Sequence, residues 1–365
     1  MMDKPKSLYV HIPFCRHFCA YCDFPKVLLS TGFSKKYTAA LLEEDKRYAG
    51  LSFDTIYLGG GTPSCIQKEE LKYLLNELVL RHGQPKEFTI ECNPEDVDDS
   101  FAKLIKGCGI NRVSLGAQST DDNLLKDLGR THRFSDVIRS VKVLQSNGIN
   151  NVSLDFIYGF EGQKIDDIDN DIDNVIALNI PHVSFYSLQI EPNTMFAIKH
   201  KNEPDGDLLA DYYEHIVKRL EKAGLYRYEI SNFAKPSYES KHNLCYWLSN
   251  PYGAIGMGAT SFEDNTRITR TRSIEKYLNC QYYWKEEKED SHDLEFDFLM
   301  LNLRLTRGFK LDEFKKRFGK DFLVAYKDKI DLLKDEFIIQ DKTVKVKPEK
   351  LYVLDSILVD LLNFN

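Results

Sequence analysis

Residues 9–22 of the chain read YVHIPFCRHFCAYC, a short apolar run that leads directly into a loop with cysteines at positions 15, 19 and 22. The apolar run around residues 8–11 predicts a β-strand. The loop after it places three thiols within a few residues of one another. A ligand-bearing loop directly after a strand is typical of the carboxyl ends of parallel strands, where α/β barrels assemble their sites. The rest of the chain should therefore supply further parallel strands.

The order of strand and helix repeats through most of the sequence. Predicted strands at 8–11, 55–58, 88–91, 112–115, 152–157, 182–188 and 226–230 alternate with helical patterns at 34–48, after 67, before 145, at 166–177 and at 208–223. Such alternation indicates parallel strands joined by right-handed helical crossovers. Because six or seven units are fewer than a closed eightfold barrel needs, we predict an α/β fold with a partial (βα)6-type barrel over residues 1–235.

The pattern changes twice after the predicted barrel. Residues 236–290 form a loop-rich connecting segment that we expect to cross back over the barrel mouth, with the charged run 285–290 as a solvated linker or helix end. Beyond it, helical patterns at 294–305, 311–318, 322–333 and 351–362 enclose a hairpin at 336–346. This order predicts a C-terminal winged-helix-like α+β module over residues 291–365. Since the module is not notably basic, packing or partner contact is favoured over DNA binding.

Composition and charge exclude several classes of protein. The 49 Lys and Arg stand against 56 Asp and Glu, a formal charge of −7, and no basic block stands out, so nucleic acid is not an expected partner. A hydrophobic fraction of 42% suits a packed core and is too high for a disordered chain. No apolar run approaches the ~20 residues of a membrane helix, and residues 1–6 lack a secretory signal, so we expect no membrane span and a cytoplasmic location.

The cysteines indicate a metal site rather than disulfides, because closely spaced thiols in a reducing compartment are typical metal ligands. Two kinds of site remain open. A zinc site would need a fourth ligand such as His11 or His17, whereas an iron–sulfur cube held by three thiolates leaves one iron open to a small chelating molecule. The five scattered cysteines, which we expect to be structural, are Cys65, Cys92, Cys108, Cys245 and Cys280.

Further motifs favour the iron–sulfur interpretation. They are GGGTPS at 59–64, ECNP at 91–94, NRVSLGAQS at 111–119 and DFIYG at 155–159. Together with YVHIPFC and the cysteine spacing, they resemble the radical S-adenosylmethionine (radical SAM) superfamily and, within it, the oxygen-independent coproporphyrinogen oxidase family. The resemblance covers most of the chain. It implies a [4Fe–4S] cluster on Cys15, Cys19 and Cys22, with S-adenosylmethionine (SAM) on the open iron.

The resemblance also implies a SAM site at the strand ends. The glycine loop receives the methionyl amine, Glu91 and Arg130 contact the amino-acid part of SAM, and Gln118 and Asp155 lie towards its ribose. These positions end or follow predicted strands, so their side chains should converge. The implied SAM-binding residues are Tyr9, Tyr21, Gly60, Gly61, Thr62, Glu91, Gln118, Arg130 and Asp155.

Two departures separate the chain from the decarboxylating oxidases. Phe24 stands where those enzymes carry a fourth cysteine, and eight residues precede Tyr9 in this sequence, where we would expect a long N-terminal arm in those enzymes. The chain has instead an HNxxYW motif at 242–247, which resembles a branch of the family described as haem chaperones. Thr260 replaces an expected histidine, which puts a contact there in doubt.

The HNxxYW motif implies a haem site. An imidazole can bind haem iron axially, and Tyr246 and Trp247 offer aromatic faces to a flat macrocycle. Cys245 is an alternative thiolate ligand inside the motif. An isolated histidine in a loop more often caps backbone groups, and only the motif reverses that balance in favour of His242 as a haem ligand.

The function expected from these features is that of a haem chaperone, which binds haem and transfers it to an acceptor protein, with respiratory haem proteins as candidates. The alternative is a radical SAM enzyme that oxidatively decarboxylates coproporphyrinogen III, an activity that Phe24 argues against. A zinc-stabilised binding protein is the third class. An electron donor for the cluster and a second copy of the chain are further candidate partners.

Overall fold

A nine-stranded sheet forms the centre of the computed structural model, which describes residues 4–199 and 205–362. Residues 1–3 and 200–204 of the predicted barrel and residues 363–365 of the predicted C-terminal module lie outside these ranges. The large sheet has the order β11-β1-β4-β5-β6-β7-β8-β10-β9. The strands are β1 (Ser7–Ile12), β2 (Phe14–Cys15), β3 (Val27–Leu28), β4 (Thr55–Gly60), β5 (Glu87–Cys92), β6 (Arg112–Gln118), β7 (Asn151–Tyr158), β8 (His182–Ser187), β9 (Tyr226–Arg227), β10 (Asn232–Ala234), β11 (Gly253–Ile255), β12 (Thr260–Glu263), β13 (Thr266–Arg270), β14 (Tyr283–Lys288), β15 (Phe309–Lys310), β16 (Phe337–Gln340) and β17 (Thr343–Val346).

Helices connect these strands and cover the sheet. They are α1 (Thr31–Glu44), α2 (Lys68–His82), α3 (Asp99–Gly107), α4 (Asp122–Asp127), α5 (Phe134–Ser146), α6 (Ile165–Ala177), α7 (Met195–Ile198), α8 (Gly206–Lys222), α9 (Lys241–Trp247), α10 (Ile274–Leu278), α11 (Ser291–Leu303), α12 (Leu311–Phe318), α13 (Phe322–Ala325), α14 (Lys327–Leu332) and α15 (Leu354–Leu362). Short 3₁₀ turns lie at Asp45–Tyr48, Pro63–Cys65, Pro94–Asp96 and Pro348–Val353. Among the described residues, no helix has both the length and the apolarity to cross a membrane.

Six consecutive parallel strands confirm the predicted partial (βα)6-type barrel. Strands β1, β4, β5, β6, β7 and β8 pair in that order, all parallel. Their residues are almost continuously buried, as expected for a parallel sheet covered by helices. The covering helices are amphipathic; α2, for example, buries four leucines at helical spacing. All carboxyl ends of these strands therefore open on the same side.

The prediction of one parallel strand at 226–230 is wrong. That strand is replaced by β9 and β10, which pair with each other and extend the sheet antiparallel to β8. Between these two strands the chain reverses in a turn that is closed by the Tyr228 amide, which donates to the Asn232 carbonyl at 3.1 Å. At the opposite edge of the sheet, β11 pairs parallel with β1.

The connecting segment begins at the end of the barrel opposite to the predicted one. Helix α9 packs at the amino ends of the strands, where Glu87, the first residue of β5, accepts the backbone amides of Lys241 and His242 at 3.1 and 2.9 Å. Strand β11 then runs along β1, and only afterwards does Arg272 reach the cysteine loop, where it donates to the Asp23 carbonyl at 3.0 Å. The helix carrying the HNxxYW motif thus closes the base of the barrel rather than its mouth.

The charged run at 285–290 differs in part from the prediction: Asp290 is the N-cap of α11, a helix end as predicted, whereas the start of the run belongs to a strand. Residues Tyr283–Lys288 form β14, an exposed strand at the edge of the three-stranded antiparallel sheet β12-β13-β14. All of its side chains are exposed, and this is why the run resembles a linker in the sequence. Charged edge strands of this kind resist pairing with other chains.

The C-terminal module has its own hydrophobic core. Helices α11 to α15 pack around the small antiparallel sheet β15-β17-β16, with Phe298, Phe309 and Phe314 at the centre. The predicted hairpin is confirmed at β16 and β17. The helical pattern at 322–333 is divided into α13 and α14, and the last pattern begins as a 3₁₀ turn. The domain boundaries near residues 235 and 290 remain a prediction.

A buried ion pair links the connecting segment to the barrel. The fully buried Arg270 donates through Nε to Glu44 of α1 at 2.8 Å, and Glu44 also accepts the Gly256 amide and the Tyr277 hydroxyl. Removing one partner of a buried pair leaves a charge without compensation.

We therefore expect Arg270→Met to lower the free energy of unfolding by about 3–5 kcal/mol in chemical denaturation. The double variant Arg270→Met with Glu44→Gln should recover part of this loss, because it leaves no unpaired charge at the site. Wild-type stability of the single variant would show that the pair does not hold the segment to the barrel.

Candidate functional site

A cavity of about 520 Å³ opens at the carboxyl ends of the parallel strands. Strand geometry brings residues from distant parts of the sequence to this edge. The cavity collects most of the residues predicted for the cluster and for SAM. Those lining it are Cys15, Cys19, Tyr21, Cys22, Gly60, Gly61, Thr62, Glu91, Gln118, Arg130 and Asp155.

The three clustered cysteines share one loop that is fixed to its surroundings by backbone pairing. Cys15 ends β2, which pairs with β3, and the Ala20 amide donates to the Leu128 carbonyl at 3.0 Å. Cys15 is buried, Cys19 and Cys22 are partly buried, and all three are free thiols. The Thr62 hydroxyl lies 3.8 Å from the Cys15 sulfur. The fixed loop holds three thiols around one cavity.

These residues fit an iron–sulfur cluster. Three thiols line one cavity, and the Arg130 guanidinium donates to the Cys19 sulfur at 3.4 Å, which suits a thiolate. Phe24, at the position of the missing fourth cysteine, lies exposed at the rim.

The two candidate zinc ligands lie in different surroundings. His11 is buried, and its ring nitrogens are bonded to the Tyr9 hydroxyl and the Pro25 carbonyl, so neither nitrogen is free for a metal. His17 lines the cavity of the cysteine loop. A zinc site with His11 as its fourth ligand would therefore need one of these two hydrogen bonds to break.

The glycine loop lies directly against the cysteine loop. Gly60 has φ +118°, and a Cβ there would lie 2.5 Å from the His11 ring. A Cβ at Gly61 would lie 2.7 Å from the Phe14 carbonyl oxygen. Only glycine permits this approach at either position. The backbone amide of Gly60 donates to Glu91 at 3.0 Å, so the loop also fixes that carboxyl group.

Two partly buried carboxyl groups line the cavity. Glu91 accepts the Tyr57 hydroxyl at 2.7 Å, and Asp155 accepts the Ser114 hydroxyl at 2.8 Å. Burial raises the pKa of Glu91 to about 7, and the nearby carboxyl of Asp155 adds to the shift. Burial likewise raises the pKa of Asp155. Both groups have raised pKa values of the kind that functional sites often show.

Arg130 connects the cysteine loop to the sheet. Its Nη2 donates to the Asn93 side chain at 2.8 Å and to the Gly116 carbonyl at 3.0 Å. Its buried Nε has no hydrogen-bond partner among the described residues. Gln118 ends β6 in a left-handed conformation, with φ 66°, and lines the cavity beside Gly116. The guanidinium therefore retains an unused donor close to the cluster loop.

Tyr9 is the one predicted SAM residue that does not line this cavity. Its hydroxyl lies 3.0 Å from the His11 ring, and its own ring stacks on Tyr57 at a centroid distance of 6.1 Å. It borders a shallow cleft of about 330 Å³ instead, together with Phe24, Tyr246, Trp247 and Thr260. Tyr9 therefore lies outside the cavity wall, against Tyr57, which does line the cavity.

His242 lies inside the protein rather than on an open haem-binding surface. The ring is buried, with Nδ1 2.8 Å from the Thr55 hydroxyl and Nε2 2.8 Å from the Tyr246 hydroxyl. Burial lowers the pKa of His242 to about 3, so the ring is neutral at ordinary pH. Both nitrogens are in use, and iron could bind only after one of these hydrogen bonds breaks. The Arg304 guanidinium lies 4.3 Å from the ring centroid of Trp247, and this contact occupies one face of that ring.

The floor of the carboxyl-end cavity was not predicted from the sequence. Arg112 and His182, the first residues of β6 and β8, line it together with Ser240 and Asn243 beside and within α9. His182 is held by the Ser153 and Tyr228 hydroxyls at 2.7 and 3.0 Å. In the sequence, the only feature that could have indicated these residues is that Arg112 and His182 are polar residues at the start of apolar strands. The polar cavity therefore extends through the barrel to its base.

Comparisons with known proteins agree with this architecture. Residues 9–175 match the radical SAM superfamily, and residues 290–348 match the HemN C-terminal domain. "Heme chaperone HemW" of Lactococcus lactis is 34% identical over the full length of both chains, and the Escherichia coli protein of that name is 35% identical over 85% of each. Among solved structures, the coproporphyrinogen III oxidase HemN of E. coli has a TM-score of 0.86 at 19% identity, covering 100% of this chain and 91% of that one. That likeness shows the fold alone.

The cysteine assignment makes a direct prediction. Cys15→Ala, Cys19→Ala and Cys22→Ala should each abolish the cluster absorbance and lower the iron content after anaerobic reconstitution, because three thiolates are needed to hold the cube. Cys108→Ala and Cys280→Ala serve as controls, since neither residue lines the cavity. A cluster of normal iron content in the Cys19 variant would show that the site has been assigned to the wrong loop.

Proposed function

Because the chain belongs to the HemW family of haem chaperones, within the radical SAM superfamily, we propose that it binds haem and transfers it to an acceptor protein. The observation that carries this proposal is the match to the Lactococcus lactis heme chaperone over the whole of both chains. Membership of the radical SAM superfamily implies a [4Fe–4S] cluster and SAM. The haem acceptor, an electron donor and a homodimer remain predictions.

We assign the cluster to Cys15, Cys19 and Cys22. When bound, a cluster held by three thiolates supplies an open iron for a chelating ligand and an electron to that ligand. The Arg130 donation to Cys19 would stabilise the charge of the thiolate. Backbone hydrogen bonds anchor the loop that carries these thiols to the rest of the barrel.

We assign SAM to the strand ends above the barrel interior. Glu91 would accept hydrogen bonds from the amino group, and the unused donor of Arg130 suits a carboxylate. The loop of Gly60, Gly61 and Thr62 lets the ligand approach the backbone closely. The remaining SAM residues proposed on the cavity wall are Tyr21, Gln118 and Asp155.

The raised pKa of Glu91 predicts a pH dependence of SAM binding. The carboxylate is the form that accepts hydrogen bonds, and it is lost as pH falls through about 7. In the cluster-loaded protein, SAM affinity measured by calorimetry should fall about tenfold from pH 8 to pH 5.5, the scale of a lost charged hydrogen bond. Glu91→Gln should bind SAM more weakly and lose this dependence. Equal wild-type affinity at the two pH values would remove Glu91 from the SAM site.

We assign haem binding to helix α9, with His242 as the iron ligand and Tyr246 as the group that orients its ring, whereas Trp247 borders the aromatic cleft on another face of the helix. Histidines that bind metals usually have their second ring nitrogen bonded to a neighbouring group, and the Tyr246 hydroxyl at Nε2 supplies such a group. Iron binding would then use Nδ1, with Thr55 moving aside. The Thr55 hydroxyl already lies 2.9 Å from the Ser7 hydroxyl, so it keeps a partner when it leaves the ring.

Oxidative decarboxylation of coproporphyrinogen is the second candidate, and the match of residues 290–348 to the HemN C-terminal domain is the observation that favours it. Phe24 in place of the fourth cysteine argues against it. Both functions would use the cluster cavity. They differ in the ligand, which is haem for the chaperone and coproporphyrinogen for the oxidase.

One paired assay separates these functions. The purified protein should bind haemin, with a Soret band that shifts in His242→Ala because an axial imidazole sets the electronic state of the iron. The matched control is His215→Ala, which removes a histidine of α8 that bonds to Asp169 and lies away from the motif. Its Soret band should be that of the wild type.

The same preparation, loaded with cluster and SAM under anaerobic conditions, should not convert coproporphyrinogen. Robust conversion, with haemin binding indifferent to His242, would defeat the chaperone proposal and favour the enzyme.

A further inference from the structure

A second cavity, of about 450 Å³, lies at the amino ends of the strands on one face of α9. It is formed where the chain enters β1, where β4 and β5 begin, and where α9 closes the base of the barrel. Its lining residues come from four separate parts of the sequence. The cavity is therefore a product of the fold and lies at the opposite end of the strands from the cysteine loop.

Lysines dominate the charge of this cavity. Lys4, Lys6, Lys86 and Lys241 line it, and the one acidic lining residue, Asp54, pairs with Lys86 at 2.8 Å. The other three lysines thus border the cavity without a carboxylate partner among the described residues of its wall, in a chain whose net charge is −7. The cavity suits a ligand that carries negative charge.

The remaining wall is largely apolar. Leu244, Cys245 and Leu248 lie on one face of α9 and its end, and Pro251 follows them. A small inorganic anion would leave this surface without a partner. A ligand with a flat apolar body and carboxylates at its edge would use both the lysines and the apolar wall.

The cavity also lies close to His242 of the HNxxYW motif. Thr55 lines the cavity, and its hydroxyl lies 2.8 Å from Nδ1 of His242. A ligand in the cavity is therefore separated from that ring by one small side chain. By contrast, no Lys or Arg is among the described residues that line the aromatic cleft beside Trp247, and the nearby Arg304 guanidinium lies against the Trp247 ring.

We propose that this lysine-lined cavity is the haem site, in which Lys4, Lys6 and Lys241 bind the haem carboxylates and the apolar face of α9 contacts the macrocycle. The inference rests on the proposed function, because it assumes that haem is the ligand. It places haem at the base of the barrel, with the cysteine loop at the mouth.

The test compares haemin with haemin dimethyl ester, whose carboxylates carry no charge. The triple variant Lys4→Gln, Lys6→Gln and Lys241→Gln should bind haemin about tenfold more weakly than wild type, the scale of a few exposed ion pairs, while its affinity for the ester stays unchanged. The matched control is Lys35→Gln, Lys36→Gln and Lys315→Gln, which removes the same net charge from exposed positions outside the cavity. Circular dichroism of both variants checks the fold.

The outcomes separate the site from the function. Haemin affinity equal in the two triple variants would overturn the lysine cavity while leaving haem binding intact, and loss of binding in Trp247→Ala would then place the site in the aromatic cleft. No haemin binding by the wild type would overturn the proposed function itself. The proposal is supported if the wild type binds haemin more tightly than haemin dimethyl ester and only the variant of Lys4, Lys6 and Lys241 loses this preference.

Discussion

The close approach of β4 to the end of β1 is the constraint on which the mouth of the barrel depends. At Gly60 and Gly61 the backbone lies so near to His11 and Phe14 that a Cβ would overlap them. The Gly61 amide donates to the Ile12 carbonyl at 2.8 Å, which fixes where the cysteine loop leaves the sheet. Larger side chains here would move the loop and with it the geometry of the three thiols.

The barrel has two different ends. The mouth has thiols, an arginine and partly buried carboxyl groups, which suit a cluster and a charged chelating ligand. The base is closed by α9 and has a lysine-lined cavity. Between them the interior is polar, from Glu91 down to His182 and Arg112, rather than filled with apolar side chains. Such a lining provides groups that can bind or orient a polar ligand inside the sheet.

Much of this could be predicted from the sequence, but not all of it. Strands and helices show their own periodicity, and the thiol spacing is local, so the parallel sheet and the cysteine loop were predictable. The end of the barrel that α9 covers was not, because it depends on contacts such as that between Glu87 and the His242 amide, 155 positions apart. The lysines of the base cavity are likewise distant in sequence, and each alone resembles an ordinary exposed charge.

Iron bound at both ends of one barrel is the arrangement that these proposals require. Crystals of protein loaded with cluster and haemin, measured at the iron absorption edge, would locate both groups by anomalous scattering. We expect one iron peak at Cys15, Cys19 and Cys22 and a second beside α9, separated by about 20 Å, the length of a six-residue strand. A second iron peak beside the cysteine loop, with none at the base of the barrel, would contradict this arrangement.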